Sequence, residues 1–286
     1  MNPPLFSILI ANYNNGRFLA EALESVYRQS YSNWEVIIVD DHSDDNSFTI
    51  YNQLKNDERI KIYYNSENQG AGFTKRKCVE MAAGEICGFL DPDDALTPDA
   101  IMDMVSLHSK MPDYSIIHSK LFYCDENLNI KSEYTHGRNV IPFQPMFFNL
   151  EGEISHFCTF KKEIYDNTDG IDPYQRRAVD QDLYLKLYDA GRTFYWDKSL
   201  YLYRIHENGI STTNNIDKAY YWRWVVNINT AKRRNINIEN LFLDSFVSKM
   251  DYDSLFKEYW RLKKYKKLNE LLHKINSIFK SRKEVE

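Results

Sequence analysis

The sequence predicts an α/β protein, with a mostly parallel mixed sheet flanked by helices and a helical extension at its C-terminus. Three observations predict it. Through the first third of the chain, short apolar runs alternate with stretches of helical periodicity, the pattern of βαβ units. Clusters of Asn and Asp follow the first, second and fourth apolar runs, where a parallel sheet gathers its ligand-binding edge. After Asp217 the pattern is helical to the end.

The run from Leu5 to Ile10 reads as a buried strand, and Asn12-Tyr13-Asn14-Asn15-Gly16 as the turn that follows it. Phe18, Leu19, Ala22, Leu23 and Val26 then share one helical face. A second strand runs from Trp34 to Val39 into Asp40-Asp41, and Ser43 to Ser47 offers caps for a helix through Ile50 and Leu54. Ile60 to Tyr64 is a third strand. A loop bearing Gly70 and Gly72 leads to a helix from about Phe73 to Ala83, and Ile86 to Leu90 is a fourth strand. Farther on, Ser115 to Phe122 reads as a strand and Pro142 to Asn149 as a mobile connection. Asp180 to Ala190 reads as a helix stopped by Gly191, and Tyr201 to Ile205 as an extended edge.

Composition narrows the function. The hydrophobic share of 43% is that of a globular protein, and a net charge of -5 argues against nucleic acid as a partner. The 21 tyrosines suit a carbohydrate-handling surface, although tyrosine is common at surfaces of any kind. The four cysteines form no C-x-x-C pair, which argues against a zinc knuckle. No signal-peptide pattern opens the sequence, and no apolar run approaches the roughly 18 residues of a membrane span. The expectation is a cytoplasmic protein with reduced thiols.

The densest chemical signal is Phe89-Leu90-Asp91-Pro92-Asp93-Asp94, an apolar strand that delivers three carboxylates to one point. Like charges so close need a cation among them, and Mg²⁺ or Mn²⁺ suits carboxylate oxygens and would be shared with a nucleotide diphosphate. The plain alternative is that Asp91 and Asp94 serve as turn or cap residues before the helix near Pro98.

Taken in order, Ser7 to Asn14, Ile37 to Ser43, Asn68-Gln69-Gly70, the Asp91-Pro92-Asp93 run, Asp180 to Leu187 and Tyr203 to Asn208 resemble glycosyltransferase family 2, the inverting enzymes of the GT-A fold. The resemblance implies that residues 1–215 form the transferase domain, with a nucleotide-sugar-binding half (1–105) and an acceptor half (106–215), and that 216–286 are a helical extension. It implies that Ala11 and Tyr13 lie against the nucleotide base, that Asp41 hydrogen-bonds the base, and that Asp91 faces the ribose or a metal-bound water. A basic residue near the donor is expected at Lys75, with Arg76 beside it. Asp93 is the expected ligand of Mg²⁺ or Mn²⁺, and His206 completes the metal shell or touches the diphosphate. Asp180 matches the general base, its pKa expected to be raised by partial burial. Val179 stands where the family has Glu, Asp182 is a rival base, and Asp180 is also placed to cap its helix. His156 falls in the segment facing the acceptor.

The function implied is transfer of a sugar from a nucleotide-sugar, of the UDP class, to a glycan or lipid-linked acceptor in surface polysaccharide synthesis. Two other readings stand beside it. A sugar-phosphate nucleotidyltransferase would want a Gly-rich basic loop after the first strand, which is absent. A catalytically silent nucleotide-sugar-binding scaffold is favoured by Val179 and opposed by Asp93 and Asp180. From Lys257 to Lys283 the chain is rich in lysine and arginine, and apolar residues at helical spacing suggest a basic amphipathic helix. It would lie on an anionic membrane surface or pack on the acidic body.

Overall fold

A computed structural model describes residues 3–206, 215–245 and 249–283. Glu207 and Asn208 of the expected Tyr-Arg-x-His run, and residues 246–248 of the expected C-terminal helical stretch, lie outside the described residues.

The first strand, β1 (Phe6–Asn12), takes a central place because its side chains are apolar on both faces. Phe6, Ile8 and Ile10 enter one core with the helix α1 (Gly16–Tyr27), while Leu9 enters a second core on the opposite face. The strand β2 (Trp34–Asp40) is buried at every position, as a parallel strand covered on both sides must be. It pairs in parallel with β1 and with β3 (Ile60–Tyr64), and α2 (Ser47–Leu54) connects the two. The helix α3 (Ala71–Met81) lies over the second core through Cys78 and Val79 and returns the chain to β4 (Ile86–Phe89), parallel to β1. Each fully buried Ile, Leu or Val contributes roughly 1.5–3 kcal/mol, which makes this parallel half the firm scaffold of the molecule.

Beyond β4 the sheet becomes mixed. A two-residue strand, β5 (Ala95–Leu96), and the helix α4 (Ala100–Lys110) lead to β6 (Tyr114–Cys124), with β7 (Ile130–Glu133) paired to its far end. The strand β8 (Cys158–Lys161) enters between β4 and β6, antiparallel to both. After α5 (Lys162–Asp166) and α6 (Val179–Ala190), β9 (Arg192–Arg204) runs parallel to β6. The full order is β3-β2-β1-β4-β8-β6-β9-β5.

Two expectations need correction. The stretch from Pro142 to Asn149, expected to be mobile, is tied down: the Tyr188 hydroxyl donates to the Ile141 carbonyl and accepts from the Gln144 N–H, and Phe148 is buried. Gly191 ends α6 as expected, in an extended conformation. The sheet's second half contains β5, β7 and β8, which no apolar run announces, and β9 begins nine residues before the expected Tyr201.

The chain divides into two compact units after Ile236. The first therefore includes the helix α7 (Ile216–Arg234), which packs on α6 and buries Trp224, Val226 and Ala231, whereas the sequence reading starts the extension at 216. The second contains α8 (Glu239–Ser245) and α9 (Lys249–Lys283). At about 100° per residue, the exposed Leu255, Phe256, Tyr259, Trp260, Leu262, Tyr265 and Leu268 fall on every side of α9. The expected separation into an apolar and a basic face is absent from its described side chains. No helix among the described residues is long and apolar enough to cross a membrane.

Candidate active site

The carboxyl ends of β1, β2 and β4 bring the polar clusters to one edge of the sheet. There the paired acids after β2 separate into different tasks. Asp40 is fully buried and accepts hydrogen bonds from the Tyr51 hydroxyl at 2.7 Å and the Ser43 N–H at 2.8 Å, so it braces the start of α2. Asp41 accepts from the Asn65 side chain and from the Gln69 and Gly70 N–H groups, each at 2.8 Å. It thus fixes the loop that enters α3, and Gly70, at φ 92°, supplies the backbone turn this requires. Ala11 is half-buried beneath that edge, and Tyr13 stands exposed beside it.

The three acids after β4 also divide. Asp94 is buried and accepts the Arg204 N–H at 2.7 Å. Burial pushes its carboxyl well above the ordinary range, with the charges of Asp93 and Asp91 adding to the effect. Asp94 is a joint between β4 and β9. Asp93 reaches the other way, its Oδ2 2.9 Å from His206 Nε2, while the His206 ring packs 5.0 Å from that of Phe18. Asp91, whose N–H donates to the Tyr201 hydroxyl, faces the ammonium of Lys75 at 2.9 Å.

Lys75 is the hinge of the arrangement. Its Nζ lies 2.8 Å from Asp180 Oδ1 as well, so one buried cation joins the acid after β4 to the acid at the start of α6. Burial alone would lower the lysine pKa, but Asp180 and Asp91 outweigh it and hold the ammonium above the ordinary lysine value. The reciprocal effect corrects an expectation. Burial does push Asp180 up, yet Lys75 and then His156 outweigh it, and its pKa is lowered, not raised. Arg76 points elsewhere, to the carbonyls of Asp169 and Ile171 and to Glu80.

Asp180 lies in the first turn of α6 and makes no capping bond; the cap position is Ala178, in a left-handed conformation. The rival Asp182 is buried, paired at 2.8 Å with Lys186 and accepting the Asp172 N–H at 2.8 Å, which makes it a brace for the preceding loop. Val179 is buried in the second core, where an apolar side chain belongs.

In front of Asp180 opens a cavity of about 410 Å³, walled chiefly by Tyr123, Tyr134, Tyr184, Tyr203 and His156. His156 stacks on Tyr201 at 5.0 Å between ring centroids, with its Nε2 3.8 Å from Asp180 Oδ2. Sequence reading touched His156 only lightly and missed the tyrosine wall, for which the sole signal was the tyrosine count. Among the described residues, two groups of side chains could hold a cation. Asp91, His156 and Asp180 offer ligand atoms within 4.8 Å of one another, but Lys75 already supplies a positive charge between the two carboxylates. Asp93 with His206 offers a carboxylate and an imidazole in contact, a donor set that fits Mn²⁺ or Mg²⁺.

The carboxyl edge of a mixed sheet thus presents its acids to an aspartate on α6 across a shared lysine. Residues 7–168 match the family described as glycosyl transferase family 2, and the chain belongs to that family. It is 28% identical to the chondroitin synthase of Pasteurella multocida over 87% of this chain and 24% of the relative. It is 28% identical to the putative glycosyltransferase EpsE of Bacillus subtilis over 76% of this chain and 80% of the relative. With the putative teichuronic acid biosynthesis glycosyltransferase TuaG of the same organism it shares 40% identity over 34% of this chain and 39% of the relative. The chain thus spans about a quarter and two fifths of the length of two of these relatives. The fold is similar to that of S. aureus TarS 1-349 in complex with UDP-GlcNAc, with a TM-score of 0.65 and 20% identity over 78% of this chain and 65% of TarS 1-349. The GT-A expectation for the fold is met.

Proposed function

We propose that this chain is an inverting glycosyltransferase that moves a sugar from a nucleotide-sugar of the UDP class onto a glycan or lipid-linked acceptor, in the synthesis of a surface polysaccharide. The observation that carries the reading is the position of Asp180, at the floor of a tyrosine-walled cavity and joined through Lys75 to Asp91. An acceptor hydroxyl in that cavity attacks the anomeric carbon of the donor as the bond from that carbon to the diphosphate oxygen breaks. The configuration inverts, the diphosphate leaves with the bonding pair, and Asp180 takes the hydroxyl proton. Its pKa, held below the ordinary value by Lys75 and His156 against the effect of burial, leaves it ionised at neutral pH but a weaker base than a free carboxylate until the lysine contact loosens.

On the donor side, Ala11 and Tyr13 flank the base, Asp41 accepts a hydrogen bond from it, and Asp91 and Lys75 line the path to the diphosphate. Asp93 and His206 would hold Mg²⁺ or Mn²⁺, which supplies positive charge to the diphosphate oxygens when bound. The relatives, a chondroitin synthase and a putative teichuronic acid biosynthesis glycosyltransferase among them, support the polysaccharide setting. The lysines of α9 would draw the chain to the anionic cytoplasmic face of a membrane electrostatically.

Calorimetric titration tests this reading. UDP or one UDP-sugar is expected to bind with Mn²⁺, to bind less tightly in EDTA, and to lose the metal effect in Asp93→Ala. Asp180→Asn is expected to keep donor binding and lose sugar transfer. Failure of every nucleotide to bind would remove the transferase reading.

A further inference from the structure

The walls of the cavity beside Asp180 restrict the class of acceptor, an inference that rests on the transferase reading above. Among the described residues lining it are Tyr123, Tyr134, Tyr184, Tyr203, Leu121 and Ile205, and none of those described is a lysine or arginine. The rings hold one another in place. Tyr123 meets Tyr134 at 6.0 Å and 81°, and Tyr203 at 5.9 Å and 89°, while the Tyr134 hydroxyl donates to the Gly152 carbonyl at 2.8 Å.

Among the described residues, the charges near this space are negative or already engaged by other groups. Asp180 lies within it. Lys75 divides its ammonium between Asp180 and Asp91. Arg223, on α7, donates to the carbonyls of Asn149 and Leu150. His156, the remaining basic side chain of the wall, has its Nε2 3.8 Å from Asp180, so a proton on it is matched there.

We infer that the acceptor presented to Asp180 is a neutral sugar ring, and that uronic acids and polyol phosphates are excluded from this position. The C–H face of a neutral ring packs on the tyrosines, and its hydroxyls meet the polar side chains of Asn149, Ser155 and Gln181 on the same wall. A carboxylate or phosphate in the same place loses its water, gains no cation and faces the like charge of Asp180.

Matched pairs test this, because methyl β-glucoside and methyl β-glucuronide differ only at C6, as do methyl β-galactoside and methyl β-galacturonide. Saturation-transfer NMR on the full chain with UDP and Mg²⁺ is expected to show at least one neutral glycoside bound, with its uronide about fivefold weaker or more. Ile205→Arg, at the exposed rim, is expected to raise the uronide signal, and Tyr203→Ala to reduce the neutral one. A uronide that matches its neutral partner, the absence of signal from both neutral glycosides, or signals indifferent to both substitutions would each overturn the inference. Calorimetry of UDP on the same samples keeps the two readings apart. UDP binding with equal uronide and glycoside signals removes only the acceptor class, whereas selective glycoside binding without UDP binding removes only the transferase reading.

Discussion

Lys75 carries more of the site than any other side chain, and its effect is measurable through pH. Asp180 has a folded pKa below its ordinary value of 3.8, so the stability it contributes is present above that value and is lost as pH falls through the lowered folded pKa. Lys75 has a folded pKa above its ordinary 10.5, so its contribution is complete below that value and is lost only as pH rises through the raised one. Across the neutral range both contributions are present. Lys75→Met leaves two carboxylates facing each other without the cation, at a cost of about 3 kcal/mol. With the cation gone, burial and Asp91 push Asp180 upward, and the acid limb of the kcat/KM profile is expected to move to higher pH. A profile with an unmoved acid limb, measured on variant that still shows a cooperative unfolding transition, would mean that Lys75 does not set the charge of the base. The residue types of this cluster were legible because each follows a recognisable pattern: Asp91 and Asp93 after an apolar strand, Asp180 at a helix start. Their connection was not, because Lys75 and Asp180 lie 105 positions apart in the chain. The sign of the Asp180 shift was misread for the same reason, since a sequence shows burial but not the partner that outweighs it.

At the scale of elements, the approach of α6 to α3 is what places Asp180. The Gly72 N–H, in the first turn of α3, donates to the Gln175 carbonyl at 3.0 Å. A Cβ on Gly72 would lie 2.4 Å from the Asp172 carbonyl oxygen and 2.5 Å from that of Gln175, both backbone atoms of the loop that leads into α6. Gly72→Ala is therefore expected to cost on the order of 2 kcal/mol in stability and to displace the start of α6. Thermal unfolding reads the first effect. The second should appear as a fall in kcat larger than any rise in donor KM, and an unchanged turnover would show that α6 is held by other contacts. Strands of the parallel half were legible because each is an apolar run or a short apolar alternation between turn signals, as β2 and β3 show. The strands β5, β7 and β8 were not. β5 has two residues, β7 is exposed at all four positions, and β8 gains its place only by insertion between β4 and β6. The cavity wall suffers the same limit, since Tyr123, Tyr134, His156 and Tyr203 arrive from separate segments that only the mixed half of the sheet assembles.

For the whole molecule, the question is where the catalytic unit ends. The composition changes near residue 216, where a long helical pattern begins, but composition does not show what that helix covers. In the structure α7 is part of the first unit. It buries Trp224, Val226, Asn227 and Thr230, the Trp222 carbonyl accepts a hydrogen bond from Gln175 at 3.1 Å, and Arg233 and Arg234 both pair with Asp189 at the end of α6. Removing α7 would uncover the part of α6 on which it packs and release the carbonyls of Asn149 and Leu150 that Arg223 holds. Residues 237–286, by contrast, form their own unit, and every side chain assigned above to donor, metal or proton transfer precedes it. A chain ending at Ile236 is therefore expected to unfold cooperatively and to bind UDP within about threefold of the full chain. A chain ending at residue 215 is expected to lose the cooperative transition, because the apolar area of α7 is part of its core. The longer fragment is also expected to lose sedimentation with phosphatidylserine vesicles at low salt, if the lysines of α9 provide that attraction. Equal UDP binding by both fragments would move the boundary back to 215 and make α7 an appendage. Loss of UDP binding by both would make the second unit part of the donor site.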